Sequence, residues 1–193
     1  FSSGKSTFVN ALLGESVAPT GVLPTTSTIN VFRRGRTGGA RVHYRDGSIE
    51  TLARDQVEPF LHGLDDVAAG RIRYVEIERG GDRMGETAVV DTPGLNALDP
   101  YHEKVAREFL DTADAVVWVF SATRGGSASE AAMLGELRAS GRRVLGILNK
   151  VDILEDGEQG ELIKYLQEQL GEVLAEVVPL SAEAAIAFRQ GDK

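Results

Sequence analysis

The sequence contains no cysteine, which excludes disulfide bonds and thiolate metal sites. It also has no stretch near the roughly 18 uninterrupted apolar residues that a membrane-spanning helix needs. Basic residues are in the minority, with 21 Lys and Arg against 29 Asp and Glu and a net charge of −8. This acidic balance argues against a broad basic surface for nucleic acid or anionic lipid. The three histidines, His43, His62 and His102, are scattered without metal-ligand spacing.

What remains is an ordinary globular composition. Of the 193 residues, 42% are apolar and 26% are charged. The sequence shows no internal repeat, no low-complexity tract and no proline-rich linker that would mark a domain boundary. We therefore expect one domain over residues 1–193.

Apolar runs of strand length recur along the chain and, in its second half, alternate with helical patterns. The runs around Val89, Val117 and Leu145 carry almost no charge, which predicts parallel strands buried on both faces. Amphipathic patterns predict helices at 6–14, 101–113, 127–140 and 157–174. This order predicts an open α/β sheet that binds ligands at the carboxyl ends of its strands.

The stretch from Arg33 to Glu86 follows a different pattern. It has two or three alternating strands, turns at the sequences RDGS and RGGD, and a short helix near Asp55 to His62. These features predict an antiparallel flank on the main sheet.

The first residues carry half of a phosphate-binding motif. Gly4, Lys5 and Ser6 match the end of the pattern G-x-x-x-x-G-K-[ST], but its first glycine and the preceding strand are missing. Because Phe1 is also not an initiator methionine, we interpret the chain as a fragment of a longer protein. The alternative for so short a match is a simple glycine-serine turn before a helix.

In the phosphate-loop interpretation, backbone N–H groups and the positive end of a helix surround the phosphates. Lys5 is expected to reach the β- and γ-phosphates, the Ser6 hydroxyl to bind Mg²⁺, and Thr7 to assist at the α-phosphate. The residues expected to contact the phosphates are Ser2, Ser3, Gly4, Lys5, Ser6 and Thr7.

The sequence VVDTPGL supplies a second motif. Asp91 follows a buried strand and can hold Mg²⁺ through water, while the turn at Gly94 can bring a backbone N–H to the γ-phosphate. Taken alone, these residues would indicate only a Pro-Gly turn after a strand. Their position downstream of the phosphate loop favours the metal site.

The sequence GILNKVD indicates which base is bound. Asp152 can accept hydrogen bonds from the ring N–H and the exocyclic amine of guanine, and adenine has no amine at that position. Asn149 can bond the other edge of the base, and the stem of Lys150 can pack over its plane. The backbone N–H groups of Ser181 and Ala182 can approach the guanine carbonyl. The alternatives are a helix cap for Asn149 and a solvated turn for Asp152.

These motifs, together with the stretch FSSGKSTFVNALLGESVAPTGVLPTTSTINVFRRG, resemble the dynamin superfamily of GTPases, and its bacterial members most. The resemblance extends from Phe1 to about Ala182. It implies a three-layer P-loop GTPase fold with a mostly parallel central sheet and an extended antiparallel flank. The domain over residues 1–193 would then be a dynamin-type GTPase domain, truncated at its N-terminus and at its C-terminus.

The resemblance also implies roles for residues near the phosphates. Thr26 is the implied first-switch threonine, which closes on Mg²⁺ and positions the attacking water, with Thr25 as the alternative. Together with Lys5, Ser2 and Gly94, it makes up the implied catalytic set. The implied metal ligands are Ser6, Thr26 and Asp91.

Two positions depart from related GTPases. Leu95 stands where Ras-like enzymes carry a water-orienting glutamine, and Phe1 stands where eukaryotic dynamins carry a catalytic glutamine. Ser2 matches a serine that dynamins associate with a monovalent cation, so the resemblance implies K⁺ as well as Mg²⁺. It further implies a homodimer through the nucleotide face, with Arg124 in a loop that can meet the partner or remain solvated.

The implied function is hydrolysis of GTP to GDP and phosphate, coupled to membrane remodelling in the full protein. Lipid would be contacted only through regions absent from this chain, and nucleic acid is not an expected partner. The implied location is the cytoplasm, at the inner face of the membrane. The alternatives are a GTPase of ribosome assembly or tRNA modification, and a GTP-gated interaction module with negligible hydrolysis.

Overall fold

The computed structural model describes residues 3–14, 28–80, 85–93, 100–123 and 128–191. The first part of the chain contains α1 (Lys5–Leu13), β1 (Asn30–Arg34), β2 (Ala40–Tyr44), β3 (Ile49–Leu52), α2 (Arg54–His62), α3 (Asp66–Ala69), β4 (Ile72–Arg79) and β5 (Val89–Asp91). It continues with α4 (Pro100–Thr112), β6 (Val116–Ser121), α5 (Ala128–Ala139), β7 (Val144–Asn149), a 3-10 turn (Val151–Ile153), α6 (Glu158–Leu170), β8 (Leu174–Leu180) and α7 (Ala182–Gln190).

The described residues form two compact units. The first unit covers Val9–Thr112, and the second covers Ser2–Phe8 together with Ala113–Lys193. The division falls within α1. The first turn of this helix therefore belongs to the second unit, and the remainder belongs to the first.

The first unit is built on a five-stranded mixed sheet with the strand order β3-β2-β4-β1-β5. Strand β2 is antiparallel to both β3 and β4, which confirms the antiparallel flank predicted between Arg33 and Glu86. Strand β1 is parallel to β4 and antiparallel to β5. The prediction of a parallel strand around Val89 is therefore wrong in this sheet, because a charge-free run indicates burial and carries no information about strand direction.

Each face of this sheet carries its own apolar core. On one face, Phe32 and its neighbours pack against α1 and α2, in a cluster that comprises Val9, Phe32, Ala40, Val42, Leu52, Val57, Leu61, Ile72, Val75 and Ile77. On the other face, Ile29 packs with Val105 and Ala106 of α4. The alternation of Ile29 and Phe32 between faces follows the period of two along a strand.

The second unit is built on three parallel strands in the order β6-β7-β8, as the alternation of strands and helices predicts. The register aligns Ser121, Asn149 and Leu180, so the carboxyl ends of all three strands lie at one edge. Val117 and Leu145 are 44% and 37% exposed. The expectation that these strands are buried on both faces is wrong at these two positions near the strand starts, whereas Val119 and Ile147 further along the same face are buried.

The predicted helices are confirmed at α1, α4, α5 and α6, and α2 matches the short helix near Asp55. Helix α1 ends at Gly14, whose φ of +75° provides the left-handed turn that commonly stops a helix. The turn predicted at RGGD lies partly outside the described residues. None of the helices within the described ranges combines the length and the hydropathy of a membrane span.

Candidate functional site

The start of α1 depends on a glycine that has no room for a side chain. Gly4 has a φ of +86°, and a Cβ atom at this position would collide with Nδ2 of Asn149. Its carbonyl oxygen accepts a hydrogen bond from the Phe8 N–H at 2.8 Å, which closes the first helical turn. Glycine therefore lets the chain turn sharply into α1 directly after Ser3.

Asn149 connects three predicted motifs within the second unit. Its side chain is 2% exposed at the end of β7. Nδ2 donates to the carbonyl oxygen of Ser3 at 3.0 Å, and Oδ1 accepts from the Ala182 N–H at 3.0 Å. The phosphate-loop residues, the NKVD motif and the end of the last strand thus meet at one amide.

These two bonds change the interpretation of Asn149 and Ala182. The sequence predicts that both contact the guanine base, whereas their polar groups bond one another and the loop backbone. The bonds act as a brace that holds the loop beside the start of α7. Contact with the base stays a prediction for both residues.

Lys150 and Asp152, which follow Asn149 in the NKVD motif, differ in conformation and exposure. Lys150 has a φ of +68°, and it is the one non-glycine residue with positive φ in the described ranges. A left-handed residue of this kind costs about 1–3 kcal/mol and is typical of functional sites. Its Cε atom lies 3.9 Å from the position of a Cβ at Gly4, so its stem runs beside the loop. Asp152 follows in the 3-10 turn and is exposed, which leaves its carboxylate accessible to a ligand.

Ser181 caps the last helix. Its Oγ accepts a hydrogen bond from the Ala184 N–H at 3.1 Å, the geometry of an N-cap. This side-chain role was not predicted from the sequence, which assigned only the backbone N–H of Ser181 to the base. The N-terminus of α7 is thereby fixed at the same edge as Asn149.

Sequence reasoning also missed Ser121 and Thr123 at the end of β6. Ser121 is buried, and its Oγ lies 2.8 Å from Oγ1 of Thr123. Between them, the Ala122 N–H donates to the Asn149 carbonyl at 2.9 Å. The signal in the sequence was a polar residue directly after the apolar run VVWVF.

Asp91 belongs to the first unit, where it ends β5 and is 2% exposed. Its register partner across the antiparallel pair is Asn30, which is 0% exposed. The Thr28 hydroxyl donates to Asn30 Oδ1 at 3.2 Å, whereas Asn30 Nδ2 has no hydrogen-bond partner among the described residues. Neither Thr28 nor Asn30 was singled out from the sequence, although they alternate with apolar residues at the start of a predicted strand.

The donor chemistry at Asp91 suits a magnesium ion. Mg²⁺ prefers oxygen ligands and is commonly held by one or two carboxylates together with substrate phosphates. The Asp91 carboxylate provides such a ligand, and the buried amide of Asn30 is an orphaned donor directly opposite it in the register. The residues present therefore fit the ion. Within the described ranges, no group of three or more His, Cys, Asp or Glu side chains forms an all-protein metal site.

The remaining predicted residues lie outside the described ranges. They are Phe1, Ser2, Thr25, Thr26, Gly94, Leu95 and Arg124. Their roles therefore stay predictions.

The electrostatics of the first unit centre on His43 in β2. Its ring stacks on Tyr74 with 4.2 Å between ring centroids, and its Nε2 lies 3.9 Å from a Glu76 oxygen. Burial lowers the pKa of His43, and the neighbouring Arg41 and Arg73 act in the same direction against the opposing effect of Glu76. The hydrogen bond to Glu50 raises the pKa of Tyr44 to about 12. These groups are structural parts of the sheet, in agreement with the sequence interpretation of His43.

The sequence matches the family model described as "Dynamin family" over residues 1–151. It is 31% identical over 191 residues to the probable transmembrane GTPase FZO-like of Arabidopsis thaliana, covering 96% of this chain and 18% of that protein. It is 29% identical over 164 residues to dynamin-like protein A of Bacillus subtilis, covering 82% of this chain and 13% of that protein. An uncharacterized protein of Caldicellulosiruptor sp. is 26% identical over 192 residues, covering 96% of this chain and 48% of that protein.

Solved structures share the fold. A bacterial dynamin, described as an oligomerised pair for long-range sensing and tethering of membranes, superposes with a TM-score of 0.81 at 19% identity, covering 97% of this chain and 33% of that one. Era of Aquifex aeolicus, bound to GDP·AlF4⁻, gives a TM-score of 0.54 at 19% identity, covering 97% of this chain and 50% of that one. The chain thus spans about half or less of the length of these proteins.

Proposed function

The chain belongs to the dynamin family, and from this premise we propose that it binds GTP and hydrolyses it to GDP and phosphate. The observation that carries the proposal is the brace at Asn149. By bonding Ser3 and Ala182, this side chain brings the predicted phosphate loop to the predicted base-binding segment within one unit. The arrangement is the one that a nucleotide requires, with its phosphate and base contacts fixed relative to each other.

The base is selected by Asp152. Its exposed carboxylate has two oxygens that accept the ring N–H and the exocyclic amine of guanine as a pair of charge-assisted hydrogen bonds. Adenine lacks an amine at that position and would leave the carboxylate partly unpaired. The left-handed Lys150 turns the chain between Asn149 and Asp152, and its stem lies beside the loop to cover the base plane.

The phosphates are bound at the start of α1. The first N–H groups of α1 follow Ser3, and the helix dipole places partial positive charge at this end. Lys5 neutralises the β- and γ-phosphates, and Thr7 assists at the α-phosphate. Gly4 lets the loop pack directly against Asn149, because a Cβ atom at this position would collide with Asn149 Nδ2.

The metal ligands in this proposal are Ser6, Thr26 and Asp91. Bound Mg²⁺ would neutralise the charge that develops between the β- and γ-phosphates. Asp91 is buried at the end of β5, so water screens the attraction between its carboxylate and a cation less than it would at the surface. Thr26 positions the attacking water, with Thr25 as the alternative.

Hydrolysis is proposed to depend on pairing of two such domains. Leu95 offers no hydrogen bond to a water molecule, so charge at the transition state has to come from elsewhere. We infer K⁺ held near Ser2 and a second copy of the chain across the nucleotide face. The oligomeric bacterial dynamin with the same fold supports this inference. Membrane remodelling at the inner face of a membrane is the proposed role of the whole protein, supported by the names of its relatives.

The test is phosphate release per molecule of intact protein, measured over a wide range of protein concentration in potassium and in sodium buffer. The expected rate rises with concentration, requires potassium, and is lost in Lys5→Ala and Thr26→Ala. Lys164→Ala, which removes an exposed lysine of α6, serves as the matched control and should keep the rate. Bound GTP without release of phosphate would instead indicate a GTP-gated interaction module.

A further inference from the structure

One end of β1 carries polar side chains where the rest of the same face is apolar. Thr28, Asn30 and Phe32 alternate along the chain and share a face. Phe32 packs into the apolar core against α1 and α2. Thr28 and Asn30 are as deeply buried as Phe32, yet both are polar.

Asp91 lies on this same face. Directly opposed residues of an antiparallel pair point their side chains to one side, with Cβ atoms about 4.5–5.5 Å apart. The register opposes Asn30 to Asp91 and Phe32 to Val89. Because Phe32 and Val89 pack in one cluster, the shared face is confirmed independently of the register.

Asn30 has a donor that no described group satisfies. Its Oδ1 accepts a hydrogen bond from the Thr28 hydroxyl at 3.2 Å, which places Nδ2 on the other side of the amide. Its Nδ2 carries two hydrogens and is fully buried, with no hydrogen-bond partner found in the described part of the chain. Buried polar groups without a partner are rare in folded proteins and call for an explanation.

The strand neighbours of Asn30 indicate where an acceptor can come from. On the β4 side its register partner is Val75, which is fully buried and has no polar side-chain atom. On the β5 side its register partner is Asp91, whose carboxylate offers about four lone-pair sites. A carboxylate of this kind can accept from Asn30 while its remaining lone pairs serve a metal.

We propose that Asn30 is a positioning residue for the metal-binding carboxylate of Asp91. Its Nδ2 donates to one Asp91 oxygen when Mg²⁺ and nucleotide are bound, and Thr28 holds the amide in the orientation that makes this possible. The inference rests on the proposed function, because it assigns a supporting residue to the predicted magnesium site. Groups that orient a ligand in this way commonly change metal affinity by about 10- to 100-fold when they are removed.

The experiment measures release of fluorescent GDP from the intact protein while the Mg²⁺ concentration is varied. In Asn30→Leu, which keeps the branched shape of the side chain but is larger and removes both polar atoms, we expect the Mg²⁺ concentration at half-maximal retention to rise about tenfold. Thr28→Val frees the amide to rotate and should give a smaller rise. GDP affinity in EDTA should be unchanged in both variants.

The matched control is Val75→Ala, which disturbs packing at the other register partner of Asn30 without touching a polar group. Its Mg²⁺ midpoint should equal that of the wild type. Thermal unfolding checks that each variant is folded, and Asn30→Ser, which keeps a short donor, replaces Asn30→Leu if the latter does not fold. Asn30→Ser should give a rise smaller than tenfold.

Two results would overturn the inference. One is an unchanged Mg²⁺ midpoint in folded Asn30 variants, and the other is an equal shift in Val75→Ala. Failure of the proposed function has a different signature, because the wild type itself would then bind no GDP in either Mg²⁺ or EDTA. That result would remove the inference with it.

Discussion

Both units contain buried polar residues and exposed ion pairs, and the exposed pairs of the first unit contrast with the buried carboxyl edge of the second. In the first unit, charged pairs are spread across the mixed sheet and its covering helix, as in Arg41 with Glu76 at 2.6 Å and Arg73 with Glu108 at 2.8 Å. In the second unit, the buried polar residues Ser121 and Asn149 lie at the carboxyl edge of a parallel sheet. Parallel strands end together, so a single side chain at that edge can bond several segments at once.

Exposed ion pairs and buried hydrogen bonds contribute differently to the free energy of unfolding. Exposed ion pairs contribute about 0–1 kcal/mol because water and salt screen them. A buried group that loses its partner costs about 1–3 kcal/mol. A few bonds at the edge of the second unit should therefore outweigh the ion pairs of the first, and the predictions below test this contrast.

The largest effect is expected at Gly4. Gly4→Ala places a Cβ against Asn149 Nδ2 at a φ of +86°, and should weaken GTP binding by about 100-fold, or about 3 kcal/mol. Gly135→Ala is the matched control, since beyond the backbone of α5 itself no described residue comes within 4 Å of its Cβ position. That variant should stabilise the protein by about 0.5–1 kcal/mol. GTP titration and urea unfolding of both variants make the comparison, and equal GTP affinity in the two would contradict it.

The next effect is expected at Asn149. Asn149→Ala leaves the Ser3 carbonyl and the Ala182 N–H without their partner, and should lower the free energy of unfolding by about 2 kcal/mol. Asn149→Asp keeps an oxygen for Ala182 but sets a buried carboxylate oxygen against the Ser3 carbonyl oxygen, so at neutral pH it should cost at least as much as Asn149→Ala. Urea unfolding provides the measurement. If Asn149→Ala costs no more than removal of an exposed ion pair, the contrast between the units fails.

A pH effect is expected at His43 in the first unit. Burial lowers its pKa in the folded state, while the unfolded chain takes up a proton near a pH of about 6.5. Stability from the neutral ring is therefore complete above that pH and is lost as the pH falls through the lowered folded-state pKa. His43→Phe keeps the stacking on Tyr74 and should flatten this slope, as measured by unfolding free energy against pH. The exposed His62 is the control, and His62→Gln should leave the slope in place.

The smallest effect is expected at Arg41. Its bond to Glu76 is short, but the guanidinium is more than half exposed, so Arg41→Gln should cost at most about 1 kcal/mol in the free energy of unfolding. The difference from the wild type should shrink in about 1 M salt, where charges are screened beyond roughly 3 Å. A cost that persists at high salt would show that the pair contributes through packing.

Much of the fold could be predicted from the sequence because its signals are local. The strand at Asn30, the helix that ends at Gly14 and the antiparallel flank follow from apolar period, glycine and turn chemistry. The antiparallel pairing of β5 with β1 could not be predicted in this way, because strand direction depends on contacts between segments far apart in the chain.

The sequence predicted the motifs of the site, but only some of the contacts between them. The order of Gly4, Asn149 and Ala182 indicated that they would meet, and they do. That Asn149 bonds backbone groups could not be read from the sequence, since it depends on the register of β7 and β8. Asn30 was missed for the same reason. The role of Asn30, a polar residue in an apolar strand, can be inferred only once its register partner Asp91 is known.

The most direct test of the account is nucleotide selectivity at Asp152. Binding of GTP, ATP and xanthosine triphosphate is measured for the wild type and for Asp152→Asn, in which the amide can donate to the carbonyl that xanthine carries in place of the guanine amine. The wild type should prefer GTP over ATP by a factor of about 10⁴. The variant should lose affinity for GTP and gain affinity for xanthosine triphosphate. A variant that still prefers GTP would contradict the assignment of Asp152 to the base, and with it the proposed guanine nucleotide site.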